Sequence, residues 1–273
     1  MSLVLHISDT HFGTQQAPVV EALLALAHER WPHALVFSGD VTQRARPEQF
    51  AAARRFCEEL GIAPMLALPG NHDIPLFNLA ARIARPYGNY TRYFGPQLEP
   101  TVETEDLLLV GVNTTRPSRH KNGEVSAEQI GQVCARLAQA RPGQLRIVVT
   151  HQPAAVSRPE DEHDRLRNAG PALQAWSHAG ADLVLGGHIH LPFVLDLLAR
   201  AAPTPRPMWC VQAGTAVSKR VRHGTCNSVN LIHWEPAAPG MPRSCRVERC
   251  DFSWVQGRFL TASMQTLSLG LTD

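Results

Sequence analysis

Short apolar runs recur along the chain, separated by longer stretches in which apolar residues return every three or four positions. "LVLHI" (Leu3–Ile7), "ALVFS" (Ala34–Ser38), "MLAL" (Met65–Leu68), "LLLVGV" (Leu107–Val112), "LRIVVT" (Leu145–Thr150) and "DLVLG" (Asp182–Gly186) read as buried strands. Between them, Pro47–Leu60 sets Phe50, Ala53, Cys57 and Leu60 on one helical face, with Pro47 suited to a first turn. Ser126–Ala140 opens with Ser126 and Gln129 at capping-box spacing and then presents Ile130, Val133 and Leu137. Such alternation predicts an α/β fold whose strands are covered on both faces.

Past residue 206 the texture changes. "MWCVQAG", "NSVNLIHW" and "CRVERCDF" follow one another without intervening helices, which predicts a more antiparallel sheet edge. Pro- and Ala-rich pieces at 201–207 and 236–242 read as loops. No long linker interrupts the chain, so the expectation is a single domain over residues 1–260 and a polar C-terminal tail over 261–273.

Composition narrows the function classes. A net charge of +2 and 44% hydrophobic residues describe an ordinary globular chain, with no charge excess to hold a stable nucleic-acid complex. "MSLVLHISDTHFG" is too short an apolar run for a signal sequence, and nowhere do 18 apolar residues follow one another, so no membrane association and a cytoplasmic setting are expected. The six cysteines lack Cys-x-x-Cys spacing, which argues for free thiols rather than disulfides or a zinc-thiolate site.

Thirteen histidines are the unusual count, and their placement carries the chemistry. "LPGNHDIP" alone would read as a polar turn. Yet Asp9 and His11 follow the first strand, Asp40 the second, Asn71, His72 and Asp73 the third, His151 the fifth, and His188 and His190 the sixth. The carboxyl edge of an open α/β sheet is where ligands bind. Asp9-x-His11 and His188-x-His190 can each turn two side chains the same way, Asp40 can bridge through two oxygens, and Asn71 offers a carbonyl oxygen. This donor set suits two divalent transition-metal ions, manganese or iron first and zinc or cobalt next. Two such ions about 3.5–4 Å apart acidify water and clamp an in-line phosphoryl displacement.

"DTH" at Asp9, "GD" at Asp40, "GNHD" at Gly70, the lone His151 and "GHIH" at Gly187 resemble, in order and separation, the motif blocks of the calcineurin-like metallophosphoesterases. The resemblance spans roughly residues 3–235. "ISDTHFG" and the compact length are most similar to the bacterial class III cyclic-nucleotide phosphodiesterases. It implies a sandwich of two mixed β-sheets flanked by helices. It also implies one metal on Asp9, His11, Asp40 and His190, and another on Asp40, Asn71, His151 and His188. A metal-bridging hydroxide would attack phosphorus, with Asn71 and His72 contacting substrate and His72 acting at the leaving group. The chain departs from the phosphoprotein phosphatases at Gln43, where those have an acid to pair with the catalytic histidine. Asp73, or no residue, is then the partner of His72.

The resemblance implies a metal-dependent phosphodiesterase acting on a small phosphodiester, with 3′,5′-cyclic nucleotides the first substrates to consider. A phosphomonoesterase or nuclease is the alternative, and a catalytically dead scaffold a third reading that the filled ligand positions disfavour. A homodimer is left open. None of the motif blocks contains Arg or Lys, and the basic runs at Arg116–Lys121 and Lys219–Arg222 fall on predicted loops outside them, so the charge supplied by the ions alone is better matched to a diester. His28, His33, His163 and His178 read as surface, and His6 and His233 as satisfied core or edge residues. His120 in "RPSRHKNGE" and His223 in "KRVRHGT" stay open. "YGNYTRYFG" (Tyr87–Gly95) either walls the pocket or packs into the core.

Overall fold

The computed structural model describes residues 1–200, 203–238 and 240–271 as two facing mixed sheets flanked by helices. One sheet combines β1 (Ser2–Ile7), β2 (Ala34–Phe37) and β3 (Met65–Ala67) with β10 (Ser228–Trp234), β11 (Pro242–Ser253) and β12 (Arg258–Leu271), in the order β12-β11-β10-β1-β2-β3. The other is formed by β4 (Thr101–Glu103), β5 (Leu107–Gly111), β6 (Leu145–Val149), β7 (Leu183–Gly186), β8 (Phe193–Asp196) and β9 (Trp209–Gln212), in the order β4-β5-β6-β7-β9-β8. β1, β2 and β3 run parallel, as do β5, β6, β7 and β9, so their carboxyl ends share one edge of the sandwich.

Strand alternation builds the layers. Val4, Val36 and Leu66 of the first sheet meet Leu107, Leu109, Ile147 and Leu185 of the second in a buried inter-sheet core. Their neighbours Leu5, Ile7, Leu35 and Phe37 face outward onto α1 (Ala17–Arg30) and α2 (Pro47–Leu60). Leu108, Val110 and Val148 cover the far side of the second sheet, under α5 (Ala127–Leu137) and α6 (Ala169–His178). α2 begins at Pro47, and α5 is closed by a reciprocal capping box between Ser126 and Gln129. Between them lie the short α3 (Leu79–Ala84) and α4 (Gly88–Phe94).

The expected elements are present, with three differences. The antiparallel edge past residue 206 divides: β9 runs parallel to β7 in the second sheet, while β10 and β11 complete the first. Residues 261–271 are no tail, because Arg258–Leu271 pairs with β11 from Phe252↔Phe259 to Pro242↔Leu271. Only Phe259, Leu267 and Leu269 of this strand are buried apolar residues, so its pattern lacks the density of a core strand. The predicted loops at 201–207 and 236–242 are loops where described, except that Pro242 opens β11; residues 201–202, 239 and 272–273 lie outside the described residues.

The aromatic segment settles into the core. Tyr90 is buried, its ring 5.3 Å from Phe94, and Tyr93 stacks on Phe50 at 6.1 Å. His28, His33, His163 and His178 are exposed, whereas His6 is buried with its Nε2 2.9 Å from Ser38 Oγ. Among the described residues no helix is long and apolar enough to cross a membrane.

One buried ion pair ties α1 to the first sheet. Glu248 on β11 accepts both Arg30 guanidinium nitrogens at 3.1 and 2.5 Å, the Thr261 hydroxyl at 2.5 Å, and lies 2.9 Å from His233 Nε2. Burial alone would raise its pKa, but hydrogen bonds from Arg30, Thr261 and His233 outweigh it and hold the carboxyl at about 2. Because the folded value lies below the unfolded value of 4.5, this stabilisation is present above that pH and is lost as the pH falls toward 2. Glu248→Gln should cost about 1–3 kcal/mol near neutrality and flatten that acid limb. Urea unfolding of both forms across the acid range tests it; parallel curves with equal acid slopes would refute it.

Candidate active site

Each candidate residue sits in the first turn after a parallel strand. Asp9 and His11 follow β1, Asp40 follows β2, Asn71 and His72 follow β3, His151 follows β6, and His188 and His190 follow β7. Asp9, His11, Asp40, His188 and His190 have φ of 53°, 42°, 49°, 71° and 57°, the left-handed region that Asp and His tolerate better than most residues. This backbone reverses each loop tightly and turns the side chains back over the strand ends.

Two adjoining groups result. Asp9, His11, Asp40 and His190 bring one ligand atom each to within 4.8 Å of one another, and Asp40, His151 and His188 do the same, sharing Asp40. In the first group His190 Nε2 lies 3.2 Å from Asp9 Oδ1 and 3.2 Å from His11 Nε2. In the second, His151 Nε2 is 3.3 Å from Asp40 Oδ1 and 3.2 Å from Asn71 Oδ1, which adds the expected amide.

The donor orientations fit metal ions. Two imidazole Nε2 atoms face each other where at most one can carry a proton, and the buried Asp9 Oδ1 accepts no hydrogen bond. The outer nitrogens are already committed: His151 Nδ1 donates to Ser38 O at 2.8 Å, and His190 Nδ1 to the Arg220 carbonyl. Such anchoring fixes the tautomer and turns Nε2 inward. Asp9 Oδ2 takes the His188 amide at 2.9 Å, leaving Oδ1 for the site.

Electrostatics agree. Burial alone would raise Asp40, but His151, His72 and His11 around it pull it well below the ordinary carboxylate range. Burial lowers His11 and His188 to about 4, which keeps both imidazoles neutral and able to ligate. His151 and His190 go the other way: despite burial, Asp40 and Asp9 raise His151 to about 9 and Asp9 raises His190 above the ordinary imidazole value, so a cation must displace a proton there.

His72 stands beside these groups, with Nδ1 3.0 Å from the Gln43 carbonyl and its backbone amide donating to Asp40 Oδ1 at 2.8 Å. Asp73 is not its partner. The Asp73 carboxylate is buried and taken up by the amides of Val41, Thr42 and Gly70 and the Thr42 hydroxyl, fastening the β2 loop to the β3 loop. The backbone carbonyl of Gln43 supplies what its side chain cannot.

Family comparison agrees with this geometry. Residues 2–192 match the calcineurin-like phosphoesterase family. The chain belongs to that family. It is a metal-dependent phosphoester hydrolase. It is 25% identical over 183 residues, 67% of each chain, to a Synechococcus sp. protein named "Probable cyclic nucleotide phosphodiesterase". It is 42% identical over 84 residues to the glycerophosphodiester phosphodiesterase GpdQ of Enterobacter lignolyticus, a match covering 26% of this chain and 29% of the relative. The fold is similar to that of the purple acid phosphatase PPD1 from yellow lupin, with TM-score 0.68 and 12% identity over 98% of this chain and 53% of the other.

Sequence reasoning missed one cation. Arg220, assigned above to a loop outside the motif blocks, reaches into the site with Nη1 3.1 Å from His72 Nε2 and 3.1 Å from Gln43 Oε1. The nearby Arg222 is instead paired with Asp161 at 2.8 Å. The premise that no basic side chain approaches the candidate ligands therefore fails, because the loop carrying Arg220 is bonded to the loop after β1, through Ala216 N to Ser8 O and Lys219 N to Thr14 O. A basic run gives no signal of which member turns inward.

Close packing around Asp40 yields a direct test. A Cβ on Gly70 would fall 2.1 Å from both Asp40 N and Asp40 Oδ1, and neither can move without shifting the shared carboxylate. Gly70→Ala is expected to retain the fold by circular dichroism while losing at least one bound metal per chain by elemental analysis. Full metal content in the variant would show that the carboxylate has freedom the packing denies it.

Proposed function

We propose that this hydrolase is a two-metal phosphodiesterase, with Asp9, His11, Asp40 and His190 holding one ion and Asp40, Asn71, His151 and His188 the other. The observation that carries the reading is the single buried carboxylate, Asp40, common to two ligand groups. Manganese or iron suits the mixed nitrogen and oxygen donors. When bound, the two ions would activate water and neutralise charge on the phosphate. The chain's own part is to hold the imidazoles in one tautomer, to keep Asp9 and Asp40 ionised, and to present His72 to the departing oxygen. With Nδ1 held by the Gln43 carbonyl, the His72 ring turns Nε2 toward that oxygen; Arg220 Nη1 rests 3.1 Å from Nε2, and once the phosphate draws it away a proton bound at Nε2 is the one His72 delivers.

Two diesterase names among the relatives favour diesters, and cyclic nucleotides are the first natural candidates. Beside Asn71 and His72 a small cavity of about 50 Å³, lined by Ile74, Leu76, Arg44 and His120, offers mixed apolar and basic walls to the leaving alcohol. Arg220 is the observation that favours the phosphomonoesterase alternative, since a second cationic contact suits a dianion.

Asp40→Ala and chelation should each abolish turnover, and elemental analysis of fully active protein should find two metals per chain. His72→Ala should keep both metals and lose roughly 10²–10⁴-fold in kcat, less for leaving groups that need no proton. A loss independent of leaving-group pKa would reduce His72 to a positioning residue. Comparing kcat/KM for an aryl diester and the matching monoester, then assaying 3′,5′-cyclic AMP, tests the substrate: a monoester preference overturns the diester reading.

A further inference from the structure

We propose that Arg220 is a specificity-determining residue whose guanidinium binds a non-bridging oxygen of the substrate phosphate beside His72, giving a diester site the capacity to accept monoesters as well. The proposal rests on the phosphoester-hydrolase reading above and concerns which esters that site takes.

Placement is the first argument. The loop after β9 is stapled to the loop after β1 by backbone bonds from Ala216 N to Ser8 O at 3.0 Å, Gln16 N to Val217 O at 2.9 Å and Lys219 N to Thr14 O at 3.0 Å. Ser218 adds a bond from its hydroxyl to Asp9 O. Arg220 thus starts from a fixed backbone, and its own carbonyl accepts from the Thr215 hydroxyl at 3.0 Å and from His190. A side-chain substitution leaves that carbonyl in place.

Charge is the second. Among the described residues no carboxylate pairs with Arg220, whereas Arg30, Arg119, Arg136 and the nearby Arg222 each have one. Its contacts run through Nη1 alone, to Gln43 Oε1, to both nitrogens of His72 and, at 3.5 Å, to His11 Nδ1. Nε and Nη2 keep their donors, and the residue is half-buried rather than solvated. A planar fork with unused donors beside the reaction centre matches a phosphate oxygen pair. It also explains the rest position: His72 Nδ1 faces a carbonyl and so bears the hydrogen, which makes Nε2 an acceptor for Arg220 N–H until an anion displaces it.

The selectivity follows from charge. A monoester dianion has one more negative charge than a diester, and that charge resides on the non-bridging oxygens, where Arg220 bonds. The diester offers the same geometry with less charge, so it gains less from the contact.

The test compares metal-loaded wild type with Arg220→Gln and Arg220→Lys. Calorimetry with inorganic phosphate should show Kd weakened ~10–100-fold in Arg220→Gln, the worth of one charge-assisted hydrogen bond, and dimethyl phosphate should change by a few-fold at most. The kcat/KM for 4-nitrophenyl phosphate should fall by a similar factor, that for bis(4-nitrophenyl) phosphate by much less, and Arg220→Lys should recover part of the difference. Equal losses on both esters, unchanged phosphate affinity, or reduced metal content in Arg220→Gln would each overturn the proposal, the last by making Arg220 a support for the ligands. If wild type hydrolyses neither ester, the phosphodiesterase reading fails, while the phosphate Kd still decides the role of Arg220.

Discussion

A carboxylate with almost no contact with water governs the architecture of this site. Asp40 is 1% exposed, and an ionised group buried that deeply is tolerated only when its surroundings supply compensating charge and hydrogen bonds. The chain supplies them from every side: the His72 amide, three imidazoles, and the space left by Gly39 and Gly70 for the loops to close around it. A Cβ on Gly39 would come within 2.5 Å of His151 Nδ1, so the approach of the two sheets at this point depends on its absence. The arrangement leaves Asp40 a fixed anion toward which cations are drawn from two directions.

Holding it in place has a conformational cost. Five candidate ligands adopt left-handed backbone, each at about 1–3 kcal/mol, and such residues persist only where neighbouring structure over-determines them. Here the parallel strands run directly into the turns, and Asp73 pins two of those turns to each other with four accepted hydrogen bonds. A residue that reads from sequence as a catalytic partner is thereby a fastener, one step removed from the chemistry.

What the sequence discloses and what it hides divide along physical lines. Strands buried on both faces are legible as unbroken apolar runs, and the ligands are legible because each lies within a few residues of a strand end. β12 is hidden because an edge strand needs few apolar residues: Ser263 and Gln265 pair through their backbones while their side chains stay in water. Arg220 is hidden because its place is set by loop-to-loop bonds between residues two hundred positions apart. The left-handed turns leave no mark either, since Asp and His are common in other conformations as well. Tyr87–Gly95 was open on pattern alone, and the inward packing of Tyr90 and Phe94 against Phe37 and Phe50 decides it.

The order of strands in the first sheet bears on how the chain is made. β1 lies in the middle of that sheet, yet one of its two neighbours, β10, is encoded more than two hundred residues later. On a ribosome, Ser2–Ile7 therefore pairs with β2 on one side while its other edge of N–H and C=O groups stays open until Ser228–Trp234 emerges. The whole second sheet, with His151, His188 and His190, is encoded within that interval. β10 is thus a seal on β1, and the nascent chain carries that unpaired strand edge while more than two hundred further residues are made.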